Sequence, residues 1–171
     1  DIDVSPYQAQ KIAQMEADIG VHAFYFVLLS GSFYNVFEPH VLESLREIKK
    51  LGHTLGLHFD PNSAGSTDHA SRNRELRFHA QVLGELLGSE ISCFSVHNPT
   101  VGSGEDMIDE TVEGMVNFSA PSLRERFWYC SDSNGVWRFR SLWEVIEDES
   151  ITRLYALTHP CWWTEKPSSP R

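Results

Sequence analysis

The sequence predicts an α/β protein whose strands form a parallel sheet with helices outside it, as either an open sheet or a barrel. Three observations point there. Strand-like and helix-like segments alternate about six times along 171 residues. The strand-like segments are short apolar runs, the kind that parallel sheets bury on both faces. Titratable residues also recur at the carboxyl ends of those runs: Asp1 and Asp3, His58 and Asp60, His97, Asp132 and His159. In both architectures that edge is where sites assemble.

Taken in order, "DIDVSP" alternates acidic and apolar residues as a short strand does, and stops at Pro6. "PYQAQKIAQMEADIG" predicts a helix, with Pro6 at its start, Gly20 at its end and Ile12, Met15 and Ile19 as its apolar stripe. "VHAFYFVLLS" (21–30) is too apolar for a surface helix and reads as a buried strand. "EPHVLESLREIKKLG" is the clearest helix, with Val41, Leu42, Leu45 and Ile48 on one stripe and lysines in its last turn. "HTLGLHFD" follows as a strand, and 61–70 as a polar loop of the kind that flanks a site. The next helix, "RNRELRFHAQVLGELLG", carries Leu76, Val82, Leu83 and Leu86 as its apolar positions. "ISCFSVHNP" is a strand; 100–126 fits a short helix or a loop; "RFWYCSDS", "SLWEVIEDES" and "ITRLYALTHP" read as strand, helix and strand. The expected organisation is one domain over 1–164 and a flexible tail over 165–171.

Composition narrows the function. The chain carries 24 acidic against 14 basic residues, a net charge of −10. That excludes nucleic acid or an anionic membrane surface as the expected partner, since both demand a basic face. No apolar run approaches the roughly 18 residues needed to span a bilayer. Cys93, Cys130 and Cys161 are widely spaced and form no CxxC, so free thiols in a reducing compartment, the cytoplasm, are expected. A cysteine-rich zinc site is excluded by count. The chain contains no nucleophile elbow, dinucleotide fingerprint or P-loop, and no acidic run with EF-hand spacing.

Strand side chains repeat with period two, so Asp1 and Asp3 share a face, as do His58 and Asp60. Two carboxylates brought together repel unless a cation or a shared proton relieves them, which suits one metal ligand and one general base. His58 and His97, each at a strand end, add imidazoles to that acid pair, a donor set for zinc or a similar divalent ion. Asp132 either caps a turn or holds the His159 imidazole in one tautomer. Asn98, Trp162 and Trp163 are the candidate substrate contacts, the tryptophans because aromatic faces pack against sugar rings. His22 and His53, at strand starts, are expected to be structural; His40, His69 and His79 are expected to be surface or packing residues.

The order of these motifs, from "DIDVSP" through "GVHAFYFV", "LGHTLGLHFD", "FSVHNP" and "YCSDSNGVWR" to "LTHPCWW", resembles the NodB-type polysaccharide deacetylases, closest to a divergent branch of WbmS-like proteins. The resemblance implies a distorted, incomplete (β/α) barrel and metal-dependent removal of an N-acetyl group from an amino sugar. It implies Asp1 as base, Asp3 and His58 as metal ligands, His159 as general acid and Asp132 as the acid that tunes it. The family's second metal histidine is missing, since 61–64 read Pro, Asn, Ser and Ala. His97 is therefore the expected third ligand, with Asp60 in reserve. The family's arginine–proline segment reads "HNP" here, which leaves the partner of the base open. The expected substrate is an N-acylated sugar or polysaccharide, and the sequence does not fix an oligomeric state. Two rivals share these residues: another metal-dependent amide hydrolase on the same fold, and a glycan-binding relative whose metal site has decayed.

Overall fold

A computed structural model describes residues 1–62, 68–98, 107–137 and 139–164. The tail expected at 165–171 and part of the polar loop, 63–67, lie outside the described residues. The chain runs Pro6–Asp18 (α1), Phe24–Leu28 (β1), Pro39–Lys50 (α2), Thr54–Phe59 (β2), His69–Leu87 (α3), Cys93–Val96 (β3), Thr111–Val112 (β4), Met115–Asn117 (β5), Pro121–Arg124 (α4), Trp128–Ser131 (β6), Leu142–Ile146 (α5) and Leu154–Leu157 (β7).

The strands form two sheets, one ordered β1-β2-β3-β5-β4 and one of β6 beside β7. All pairings are parallel except β4 with β5. The fold is thus α/β with a parallel sheet, as the alternation predicts, but the described strands do not close into a barrel. The stretch 100–126 hides the reason. Glu113 and Gly114, with φ of 52° and 82°, make the tight turn of a hairpin. Its outer strand β4 runs antiparallel and ends the sheet there.

The central strands are buried on both faces, and their alternation sorts the side chains. Leu55, Leu57 and Phe59 of β2 and Phe94 and Val96 of β3 join the core with Leu45 and Ile48 of α2 and Leu76 and Leu83 of α3. The residues between them, Gly56, His58, Cys93 and Ser95, face the other way. There Phe26 lies across Gly56, and its ring packs against Phe118 at 5.0 Å. α2 buries Val41, Ser44, Leu45 and Ile48, close to the stripe expected. α3 buries Arg72, Leu76, Ala80, Leu83 and Leu87, while Val82 and Leu86 are half-buried.

α1 departs from expectation. Met15 and Ile19 are 67% and 76% exposed, and the buried face is Pro6, Ala9 and Ala13. Small side chains let α1 come close to α2, which it contacts, so the apolar periodicity misreported its inner face. His53 fixes the same helix: its Nε2 meets the Ala13 carbonyl at 2.9 Å and its Nδ1 accepts from the Ala23 amide at 3.2 Å. That is the structural role expected of it, at the end of β2 opposite His58.

Gly56 has no room for a side chain. A Cβ there would stand 2.7 Å from the Phe26 ring and 2.9 Å from the Cys93 carbonyl oxygen. Gly56→Ala should therefore lower stability by about 1–3 kcal/mol, read as a lower urea midpoint with an unchanged slope. An unchanged midpoint would contradict the close approach of β1 and β3 to this residue.

Candidate metal centre

Four strand ends, those of β2, β3, β6 and β7, and the opening segment supply the site. Ile2 is buried and bridges Val27 beside β1, its N–H donating to the Phe26 carbonyl at 2.8 Å. With Ile2 turned into the core, Asp1 and Asp3 point the other way. The Tyr34 hydroxyl locks this segment: it donates to the Ile2 carbonyl (2.8 Å) and accepts from the Leu28 amide (2.9 Å). On its other side the backbone nitrogen of Asp1 donates to the Thr158 carbonyl at 2.7 Å. The opening segment thus stitches β1 to the end of β7.

Sheet register does the rest. His58 pairs across the sheet with Leu28 on one side and Ser95 on the other. His97 lies two residues beyond Ser95 on the same face, its N–H donating to the Phe59 carbonyl at 2.7 Å. Asp3 Oδ1 stands 3.2 Å from His58 Nε2 and 3.9 Å from His97 Nδ1, and the two imidazole nitrogens are 3.0 Å apart. Asp3, His58 and His97 are the one group of three or more such donors among the described residues with metal-ligand spacing. The expected third ligand, His97 rather than Asp60, is the one that converges.

The donor chemistry fits a divalent ion. Four ligands at zinc distances in a tetrahedron stand about 3.3–3.6 Å apart, close to the separations here. Asp3 Oδ1 is buried without a hydrogen-bond partner, and such an acceptor is costly unless something satisfies it. The protonation states also fit. Burial pushes the His58 imidazole below its usual range, against the pull of Asp3, and burial with the neighbouring His58 does the same to His97. Burial works to raise the Asp3 carboxyl, but the neighbouring His58 and His159 outweigh it and hold it well below the usual carboxylate range. Neutral imidazoles beside a carboxylate are what a metal requires.

A hydroxyl that sequence reasoning missed orients the set. Ser95, buried, donates to Asp1 Oδ1 at 3.0 Å and so accepts from His58 Nδ1 at 2.7 Å. This assigns the His58 proton to Nδ1 and leaves the Nε2 lone pair for a ligand. The only sequence signal was its position two residues before His97. Asn98, with φ of 49°, brings its amide to His97 Nε2 at 2.9 Å. Turning that amide over lets it accept from Nε2–H, which frees His97 Nδ1 as a donor to the ion.

Opposite these ligands sits the second half of the site. Asp132, buried at the end of β6, accepts from His159 Nδ1 at 2.7 Å, from the His159 amide at 3.0 and 3.1 Å, and from the Trp163 indole at 2.8 Å. That leaves His159 Nε2 directed at the acid pair, 3.8 Å from Asp3 Oδ2. The expected tautomer-holding role of Asp132 is the geometry found. Trp162 and Asn98 line the resulting cleft of about 340 Å³ with Asp1, Asp3, His58, His97 and His159, while the buried Asp132 does not line it. Trp163 instead braces Asp132 and packs its ring against Trp137. Cys93, Cys130 and Cys161 are free.

The sequence matches no protein-family model, and a search of the curated proteins returns no match. The chemistry of the cleft therefore carries the functional argument.

Chelated protein titrated with Zn²⁺ should bind about one ion per chain, and Asp3→Ala or His58→Ala should abolish stoichiometric binding. Ser95→Ala should weaken affinity by about 10–100-fold, the usual cost of losing an outer partner of a ligating histidine. Wild-type affinity in Ser95→Ala would refute its orienting role.

Proposed function

We propose that this chain is a metal-dependent hydrolase that removes an N-acyl group, acetyl above all, from an amino sugar in a polysaccharide or its precursor. One observation carries the reading: the Asp3, His58 and His97 donors converge in a cleft with a carboxylate on one side, Asp1, and a carboxylate-held imidazole on the other, His159. That is the equipment for hydrolysing an amide, and its order along the chain is the order that resembles the polysaccharide deacetylases. The stitching of β1 to the end of β7 through Asp1 and Ile2 supports a distorted, incomplete barrel. Free cysteines suit a reducing compartment, so we assign the reaction to the cytoplasm. No helix among the described residues is long and apolar enough to cross a membrane.

Held by Asp3, His58 and His97, a divalent ion, zinc by preference, supplies Lewis acidity toward the amide carbonyl and lowers the pKa of water to about 7. Asp1, its other oxygen held by Ser95, accepts the proton of the attacking water as that oxygen bonds to the carbonyl carbon. His159 then gives the proton on Nε2 to the amide nitrogen as the carbon–nitrogen bond breaks, because an unprotonated amine is a poor leaving group. Asp132 stabilises the imidazolium that this role requires and fixes its direction. Acetate and the free amino sugar leave, and solvent returns the proton from Asp1 to His159. Trp162 offers a face to the sugar, and Asn98 a polar contact beside it.

Wild-type protein loaded with Zn²⁺ should release acetate and free amine in equal amounts from a panel of N-acetylated sugars. His159→Ala should keep its metal while turnover falls by about 10²–10⁴-fold. Full turnover in that variant would remove His159 from the chemistry. Absence of stoichiometric metal in wild type, with no rescue by added Zn²⁺, would favour a glycan-binding role instead.

A further inference from the structure

One cation in the candidate cleft has no carboxylate partner among the described residues. Arg124 ends α4 and lines the same cleft as Asp3 and His58. Its guanidinium carbon lies 4.8 Å from the centre of the Tyr129 ring, so an aromatic face backs it. Its Nε is buried and makes no hydrogen bond among the described residues. Three arginines pair with carboxylates, Arg77 with Glu113, Arg126 with Glu110 and Arg140 with Asp148, while Arg46 and Arg74 donate to the Leu86 carbonyl and the Ser71 hydroxyl. Arg140 also lines the cleft, but its guanidinium is taken up by Asp148 and the Glu144 carbonyl, both at 2.7 Å. Of the two arginines that line the cleft, Arg124 is thus the one without a carboxylate partner among the described residues, in a chain with 24 acids against 14 bases.

Stacking on a ring fixes the plane of a guanidinium and leaves its edge N–H groups as a fork for two oxygens. We propose that Arg124 binds an oxyanion, a carboxylate or a phosphate, carried by the substrate sugar away from the amide. The charge layout gives this a purpose. Asp1 and Asp3 mark the acid end of the cleft and the chain as a whole is acidic, so apart from a bound metal ion Arg124 offers an anionic sugar the one cleft arginine with no carboxylate partner among the described residues. A sugar with its anion on Arg124 and its uncharged amide at the acid end therefore enters in one orientation. The inference rests on the reading that the cleft takes an N-acylated sugar, and it narrows that reading to acidic or phosphorylated ones.

The test is calorimetric binding of three probes: N-acetylglucosamine, its 1-phosphate and the matching 2-acetamido uronic acid. Wild type should bind at least one charged probe about tenfold or more tighter than the neutral sugar, and whichever it is identifies the source of the oxyanion. Arg124→Gln should bring that probe to the neutral level while leaving the neutral sugar unchanged. Arg124→Lys, which keeps the charge but loses the fork, guards against a variant that fails to fold; its preference should fall by about threefold or more. Equal binding of all three probes by wild type, or a preference undiminished in both variants, overturns the proposal. Acetate release followed in parallel separates the two claims: tight charged-probe binding that needs Arg124, with no release from any probe, upholds the oxyanion site and overturns the hydrolase reading.

Discussion

The candidate site depends on one electrostatic constraint: three ligand atoms, Asp3 Oδ1, His58 Nε2 and His97 Nδ1, face one another in a largely buried site. A protein gains nothing in stability from such an arrangement. Each of these groups has been taken from water, and the carboxylate oxygen recovers no hydrogen bond in return. A cation relieves all three at once. The same burial that makes the cluster expensive also keeps the imidazoles neutral, so the donors are already in the state a metal requires.

The scaffold imposes this convergence through register. Parallel pairing of β1, β2 and β3 sets Leu28, His58 and Ser95 side by side, and a shift of one residue would turn His58 into the helices and Leu57 into the cleft. Gly56 and Phe26 fix the spacing beneath, and Tyr34 fixes the opening segment above. The second sheet delivers its own pair in the same way: Ser131 lies opposite Leu157, so Asp132 and His159 emerge from adjacent strands within hydrogen-bond reach. Two sheets, each contributing at its carboxyl edge, meet across the backbone contact between Asp1 and Thr158.

Much of this was legible from residues alone. β1, β2 and α2 announce themselves because apolar period and burial coincide there, and the strand-end histidines and aspartates stand out as polar residues in apolar runs. Other features were not legible, each for a physical reason. The inner face of α1 is alanine, and a hydrophobicity pattern gives alanine little weight against Met15 and Ile19. Strands of two and three residues, as in β4 and β5, are too short to show a period, so only the Glu113–Gly114 turn could have signalled the hairpin. Ser95, Tyr34 and Arg124 acquire meaning from what lies across from them, and a single sequence carries no record of cross-strand neighbours. Whether the strands close into a barrel belongs to the same class, since it depends on how two sheets meet.

Anomalous diffraction tests most directly whether the three converging donors hold a metal ion. Crystals of zinc-loaded protein measured on both sides of the zinc absorption edge should give a single strong peak about 2.0–2.2 Å from Asp3 Oδ1, His58 Nε2 and His97 Nδ1. No peak there, with the three side chains turned to separate hydrogen-bond partners, would contradict the account.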